Sequence, residues 1–143
     1  QILYLIAEMQ QEHGSAVILI THDLGVVAEI TQRLLVMYAG NIVEEALVTD
    51  AFAHPTHPYT QGLLRSVKSL ESQRHNQLEP IPGIPPSLIN MPTGCAFHPR
   101  CSYAHQLGDR CVQQRPLLRE VGASRTACHA TDDVLLSLGL GES

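Results

Sequence analysis

With acidic side chains outnumbering basic ones 14 to 9 and a net charge of −5, the 143-residue chain has no basic run that could track a phosphate backbone, which argues against a nucleic-acid partner. Apolar residues make up 44% and charged ones 16%, but with no Trp and two Phe the core must come from Leu, Ile, Val and Ala. The length suits one domain burying roughly 70% of its unfolded surface or a piece of a larger one, and the longest apolar runs, 16–20 and 34–39, fall well short of the roughly 20 residues that span a bilayer.

The opening residues, QILYLIAEMQQEHG, carry acids and glutamines where a secretory leader would have a basic start and a clean apolar block, so a cytosolic chain is expected. There is no initiator Met, and the pattern opens already apolar; sequence before Gln1 is expected to have been cut away. Ile2, Leu3, Leu5, Ile6 and Met9 fit one helix face, with Gly14 as the stop. Residues 16–20 are continuously apolar, which predicts a strand buried on both faces. Asp23 can cap a following helix whose inward side uses Leu24, Val27, Ala28 and Ile30. Residues 34–38 predict a second buried strand. Ala39, Gly40 and Asn41 carry turn chemistry, and 42–45 return as a hairpin partner.

Thr49 can cap a short helix over 50–53, and His57 stands just before Pro58, which suits the first position of a helix running to Val67. The chain then turns polar, and EPIPGIPPSL brings four prolines and a glycine that exclude helix interior and central strand. The division expected is 1–67, a linker over 68–89, and a cysteine-bearing module over 90–143 whose apolar end, DVLLSLGL, forms a last helical turn or two. A helix–strand pattern of this kind with so few strands leaves sheet edges unpaired, so further strands are expected from sequence outside these residues or from another copy.

At this point the residues become recognisable. ILITHDLGVVAEITQRLLVMYAGNIVEE resembles the H-loop end of an ABC-transporter ATPase, and HPTHPYTQGLLRSV resembles the segment that follows it in ATPases of oligopeptide, dipeptide and nickel importers. The proline stretch and GCAFHPRC continue the likeness to about Cys128. The fold implied is α/β: part of a P-loop NTPase sheet with helices, followed by a small loop-rich cysteine-bearing domain. The resemblance implies that His22 is the switch residue that contacts the γ-phosphate of ATP, with Mg²⁺, at the interface of two ATPase subunits. The chemistry is consistent with that role, because phosphoryl transfer needs fixed donors and a positioned water rather than covalent help. His22 could instead be only a polar residue at a strand end, and Asp23 a helix cap as readily as a nucleotide contact. Partners implied are a second ATPase subunit, membrane-spanning permease subunits and, indirectly, a periplasmic or lipid-anchored solute-binding protein. The implied location is peripheral, at the cytoplasmic face of a bacterial inner membrane.

The 143 residues hold no G-x-x-x-x-G-K-[ST] loop, no apolar strand ending in Asp-Glu and no Leu-Ser-Gly-Gly signature, so by themselves they are not expected to hydrolyse ATP. One departure from the family pattern is Ala46, where Gly is usual after the paired acids. For HPYTQGLL the simple reading is a helix burying Tyr59, Leu63 and Leu64; the alternative is docking onto permease subunits or the second ATPase.

All four cysteines, Cys95, Cys101, Cys111 and Cys128, fall within 34 residues, separated by 5, 9 and 16 others. In a cytosolic chain such clustering points to metal rather than disulfides, though the spacing lacks the C-x₂-C knuckles of common zinc sites. The resemblance implies a [4Fe–4S] cluster, with Zn²⁺ or free thiols left open. His98, His105 and His129 lie close enough in sequence to replace one ligand, and Pro99 and Arg100 are expected to set the turn between the first two cysteines. A non-catalytic metal-binding or interaction module stands as the alternative function.

Overall fold

The computed structural model describes residues 2–71, 80–130 and 132–137. In chain order these form α1 (Ile2–His13), α2 (Leu24–Ile30), β1 (Arg33–Tyr38), β2 (Asn41–Leu47), α3 (Val48–Ala53), α4 (Pro58–Glu71), α5 (Arg110–Gln113), β3 (Arg119–Val121), β4 (Ser124–Thr126) and α6 (Asp132–Ser137). A single four-stranded sheet runs in the order β1-β2-β4-β3, with each pairing antiparallel.

The centre of the fold is the β1–β2 hairpin. Tyr38 pairs with Asn41, leaving Ala39 and Gly40 as a two-residue turn in which both have positive φ, +48° and +76°. That turn has the twist a tight hairpin needs, and Gly40 suits it without strain. Ala39 does not, since a Cβ in left-handed backbone costs on the order of 1 kcal/mol. Ala39→Asn is therefore expected to raise stability by about 1 kcal/mol in urea unfolding; an unchanged midpoint would mean that the lost methyl packing cancels the relieved strain. Further along, Val36 opposes Glu44 while Met37 opposes Ile42, so Val43 is an extra residue in β2. The bulge leaves two successive residues, Val43 and Glu44, both buried.

The strand expected at 16–20 is not formed. The segment belongs to no helix or sheet among the described residues, and Ile18 and Ile20 are 91% and 94% exposed. A run apolar on both faces is stable as a strand only with neighbours on both sides, and the described chain supplies none there. The same cause leaves β1 half open, with Leu35 and Met37 exposed rather than buried, and leaves α1 with no fully buried residue. The parallel P-loop arrangement is thus not among the described strands. Helix α1 ends as expected at Gly14, with φ +62°, and α2 is capped by Asp23, although Ala28 of its expected inward side is exposed.

Helix α3 begins at Val48, one residue before the expected cap Thr49, and its own cap position, Leu47, makes no side-chain bond. Helix α4 starts at Pro58 and runs on to Glu71, past Val67 and into the expected linker; the rest of that boundary, 72–79, lies outside the described residues. The cysteine module also does not stand apart. Its β4 pairs with β2 through Glu44↔Thr126 and Glu45↔Arg125, so the sheet passes from one expected domain into the other.

Two apolar clusters lie on either side of this seam. One joins Tyr38 and Val43 of the hairpin to Phe97 of the cysteine loop, with Tyr59 and Ile81 packed against it. The other, Val121, Cys128, Ala130 and Leu135, is the module's own small core. Arg100 fastens the proline segment over the first cluster: its guanidinium donates to the carbonyls of Pro82 (2.8 Å) and Ile81 (3.0 Å), and it lies over the Tyr38 ring. No described helix is long and apolar enough to cross a membrane.

Candidate functional site

His22 is exposed, two residues past the 16–20 segment. Its neighbours hold the backbone beneath it. The Asp23 N–H donates to Thr21 Oγ1 (3.0 Å), and Asp23 Oδ1 accepts from the N–H groups of Gly25 (2.9 Å) and Val26 (3.2 Å), closing the first turn of α2. Thr21 and Asp23 are thus committed to local geometry, and His22 between them is exposed.

The second constellation is built on the segment HPY. His57 is the cap residue of α4: its carbonyl accepts from the Gln61 N–H (3.1 Å), and its Nδ1 accepts from the Tyr59 N–H (3.1 Å), where Ser or Asp oxygen usually serves. Pro58 then takes the first helical position, where no N–H is needed. With Nδ1 an acceptor, the proton of the neutral ring sits on Nε2. His57 is 1% exposed, and burial depresses its pKa to about 3.

Behind this cap lies Glu44, fully buried, accepting from the Thr56 N–H (2.8 Å) and hydroxyl (2.9 Å) at one oxygen and from the His57 N–H (2.9 Å) at the other. A carboxylate in the interior is stable when its lone pairs meet this many donors, and the helix N-terminus adds favourable field. Glu45, next along, points the opposite way and bridges Arg33 and Arg125 at the surface.

The four cysteines are free thiols, Cys111 and Cys128 buried and the other two half-buried. All six pairs interact electrostatically, which places the thiols in one neighbourhood. Each has its pKa raised, first by burial, with Cys101 pushed up to about 11, so the unligated centre is protonated and not a nucleophile. Backbone amides act the other way and partly offset that rise, those of Phe97 and His98 on Cys95, that of Tyr103 on Cys101, and those of Ala130 and His129 on Cys128. Arg110 lies beside Cys111. Gly94 is required here, because at φ +69° a Cβ would meet the Cys111 carbonyl oxygen at 2.4 Å; its absence lets the Cys95 N–H donate to that carbonyl (2.8 Å).

As they stand, no three His, Cys, Asp or Glu side chains among the described residues form a group that could hold a metal ion. The histidines near the cysteines are engaged elsewhere, His98 Nδ1 with the Cys95 carbonyl (2.8 Å) and His129 Nε2 with that of Gln114 (2.7 Å), while His105 is exposed. His98, Pro99 and Arg100 form the expected turn, a short 3₁₀ segment. Sequence reasoning passed over Glu44, and it read His57 only as the residue before a helix.

Residues 43–107, which contain Glu44, the HPY cap and the first two cysteines, match the family described as oligopeptide/dipeptide transporter, C-terminal region. The chain is 47% identical over 136 residues to a probable peptide ABC transporter ATP-binding protein of Sinorhizobium fredii, covering 94% of this chain and 40% of that relative. It is 44% identical over 129 residues to a dipeptide transport ATP-binding protein of Haemophilus influenzae, covering 90% and 38%. With the oligopeptide transport ATP-binding protein of Mycobacterium bovis it shares 45% over 133 residues, covering 92% and 21%. The chain belongs to this family of ABC-transporter ATP-binding proteins. It spans about 40% or less of the length of the curated relatives it matches.

Proposed function

We propose that these residues are the γ-phosphate-sensing and carboxyl-terminal part of an ATPase subunit that drives peptide import. The observation that carries this reading is the 47% identity across 94% of the chain to a peptide ABC transporter ATP-binding protein, together with an exposed His22 between Thr21 and Asp23. In the complete protein His22 donates to the terminal phosphate of ATP held with Mg²⁺ by upstream residues, and the second ATPase subunit closes over the same nucleotide. Closure and reopening are passed to membrane-spanning permease subunits that receive peptide from a solute-binding protein, with the ATPase peripheral at the cytoplasmic face of the bacterial inner membrane. The exposed apolar residues Ile18, Ile20, Leu35 and Met37 fit this reading, as surfaces that the remaining part of such an ATPase would cover.

The division 1–67, 68–89 and 90–143 follows the same logic: ATPase end, connection and cysteine module. In the module, Cys95, Cys101, Cys111 and Cys128 hold a [4Fe–4S] cluster. What supports this is the resemblance together with four free, at least half-buried thiols, although the described residues do not group three such side chains around one ion. The cluster's contribution would be structural, a staple for a loop-rich segment with a small core.

The test is His22→Ala in the full-length protein assembled with its permease. ATP binding should persist while hydrolysis falls about 100-fold, the usual loss for one donor to a developing charge. Unchanged turnover would remove His22 from the reaction.

A further inference from the structure

The chain bends at His22, and a hydrogen bond spans the bend. The Asp23 N–H, the first backbone donor after the histidine, is taken by Thr21 Oγ1 (3.0 Å), so a side chain before His22 closes a small ring onto the backbone after it. Asp23 is in turn fixed to α2: its Oδ1 accepts from Gly25 (2.9 Å) and Val26 (3.2 Å), and its carbonyl from the Val27 N–H (3.2 Å). A Cβ at Gly25 would stand 3.2 Å from that carboxylate oxygen, so glycine leaves it room. Helix α2 itself has little packing to hold it. Its seven residues are fewer than the roughly 12–15 that an isolated helix needs, and none is buried. It is held by hydrogen bonds instead: the Asp23 cap at its start, the Thr31 hydroxyl donating to the Val27 carbonyl (2.8 Å) at its close, and Glu29 accepting from the Tyr4 hydroxyl of α1 (2.9 Å). A restraint thus runs from α1 through α2 to Asp23. Residues 16–20, on the other side of His22, join no helix or sheet among the described residues, so the Thr21 hydroxyl carries that restraint across the histidine.

We propose that Thr21 is a positioning residue for His22: by holding the Asp23 N–H, its hydroxyl oxygen fixes the backbone from which the imidazole is presented to the terminal phosphate. The proposal rests on the phosphate-sensing reading of His22 above, while the ring across the histidine is a property of this chain's own bonds. Thr21 acts through His22 and touches no nucleotide. A donor held in place before charge develops loses nothing to reorganisation when it is needed, which is what a fixed backbone on both sides of the histidine supplies. The hydroxyl is therefore felt in the rate of hydrolysis and not in the affinity for ATP, whose phosphates are gripped by upstream residues.

Two substitutions separate the hydroxyl from the rest of the side chain. Thr21→Val keeps the branched shape and removes the acceptor, whereas Thr21→Ser keeps the acceptor; Thr21 is exposed, so neither change should disturb folding. In the full-length protein assembled with its permease, kcat for ATP hydrolysis should fall roughly threefold to tenfold in Thr21→Val, the effect of one hydrogen bond, with KM for ATP unchanged, and should recover in Thr21→Ser. In a His22→Ala background Thr21→Val should cost nothing further, because the two residues act as one unit. Turnover in Thr21→Val equal to wild type, or the same loss whether or not His22 is present, would overturn the proposal. If His22→Ala alone leaves turnover unchanged, the phosphate-sensing reading fails separately, and the positioning is decided by magnetic resonance of the full-length protein labelled at histidine. A His22 signal that broadens or divides in Thr21→Val and stays single in Thr21→Ser supports the positioning role, and a signal indifferent to both overturns it.

Discussion

Replacing Glu44 by alanine is expected to lower the unfolding free energy by about 3–5 kcal/mol, because it strips three buried donors of their acceptor and leaves a cavity behind the α4 cap. The donors are the Thr56 N–H, the Thr56 hydroxyl and the His57 N–H, all within 2.9 Å of the carboxylate. None can turn to another partner, since two are backbone and all lie in the interior. Glu44→Gln is the sharper probe. Its amide oxygen can keep the two bonds from Thr56, but its NH₂ would then face the His57 N–H, donor against donor. A loss of about 2 kcal/mol is expected for this nearly isosteric change. Urea unfolding monitored by circular dichroism measures both, and a Gln variant as stable as wild type would show that the second oxygen contributes nothing.

Part of this arrangement is legible from the residues themselves. Successive side chains in a strand face opposite ways, so the pair Glu44-Glu45 must send one carboxylate inward unless the strand is bare on both faces. The donors that meet it are not legible, because they lie 12 and 13 residues further on, beyond α3, and come from the backbone of a turn. The hairpin can be read from Ala39-Gly40-Asn41 and the start of α4 from Pro58, since turn and cap chemistry is local. The bulge at Val43 cannot, as it is a matter of register between two strands. Residues 16–20 are strand-like in composition, yet a strand is a relation between segments, and Ile18 and Ile20 find no partner among the described residues. Clustering of the cysteines was visible by count alone. The fit of Gly94 under the Cys111 carbonyl depends on backbone paths that no spacing rule encodes.

Acid should weaken the fold through His57, and the sign follows from its two environments. Unfolded, the imidazole titrates near 6.5; folded, burial holds its pKa at about 3. Between those values the unfolded chain binds the proton and the folded chain does not, so stability is complete above pH 6.5 and drains away as pH falls toward 3. The loss between pH 7 and pH 5 is about 2 kcal/mol, since each pH step of one below 6.5 favours the protonated unfolded chain by about 1.4 kcal/mol. Structure gives the same sign independently. A proton on Nδ1 would turn the acceptor under the Tyr59 N–H into a donor, and the new positive charge would sit at the N-terminal end of a helix, where the backbone field opposes it. His57→Gln cannot be charged, so its stability should change by about 2 kcal/mol less over this interval than that of wild type. Carboxylates that titrate in the same range do so in both proteins and cancel in the difference. Parallel pH profiles for the two proteins would mean that the imidazole takes up its proton without leaving its place, and that burial and the Tyr59 N–H do not hold it neutral.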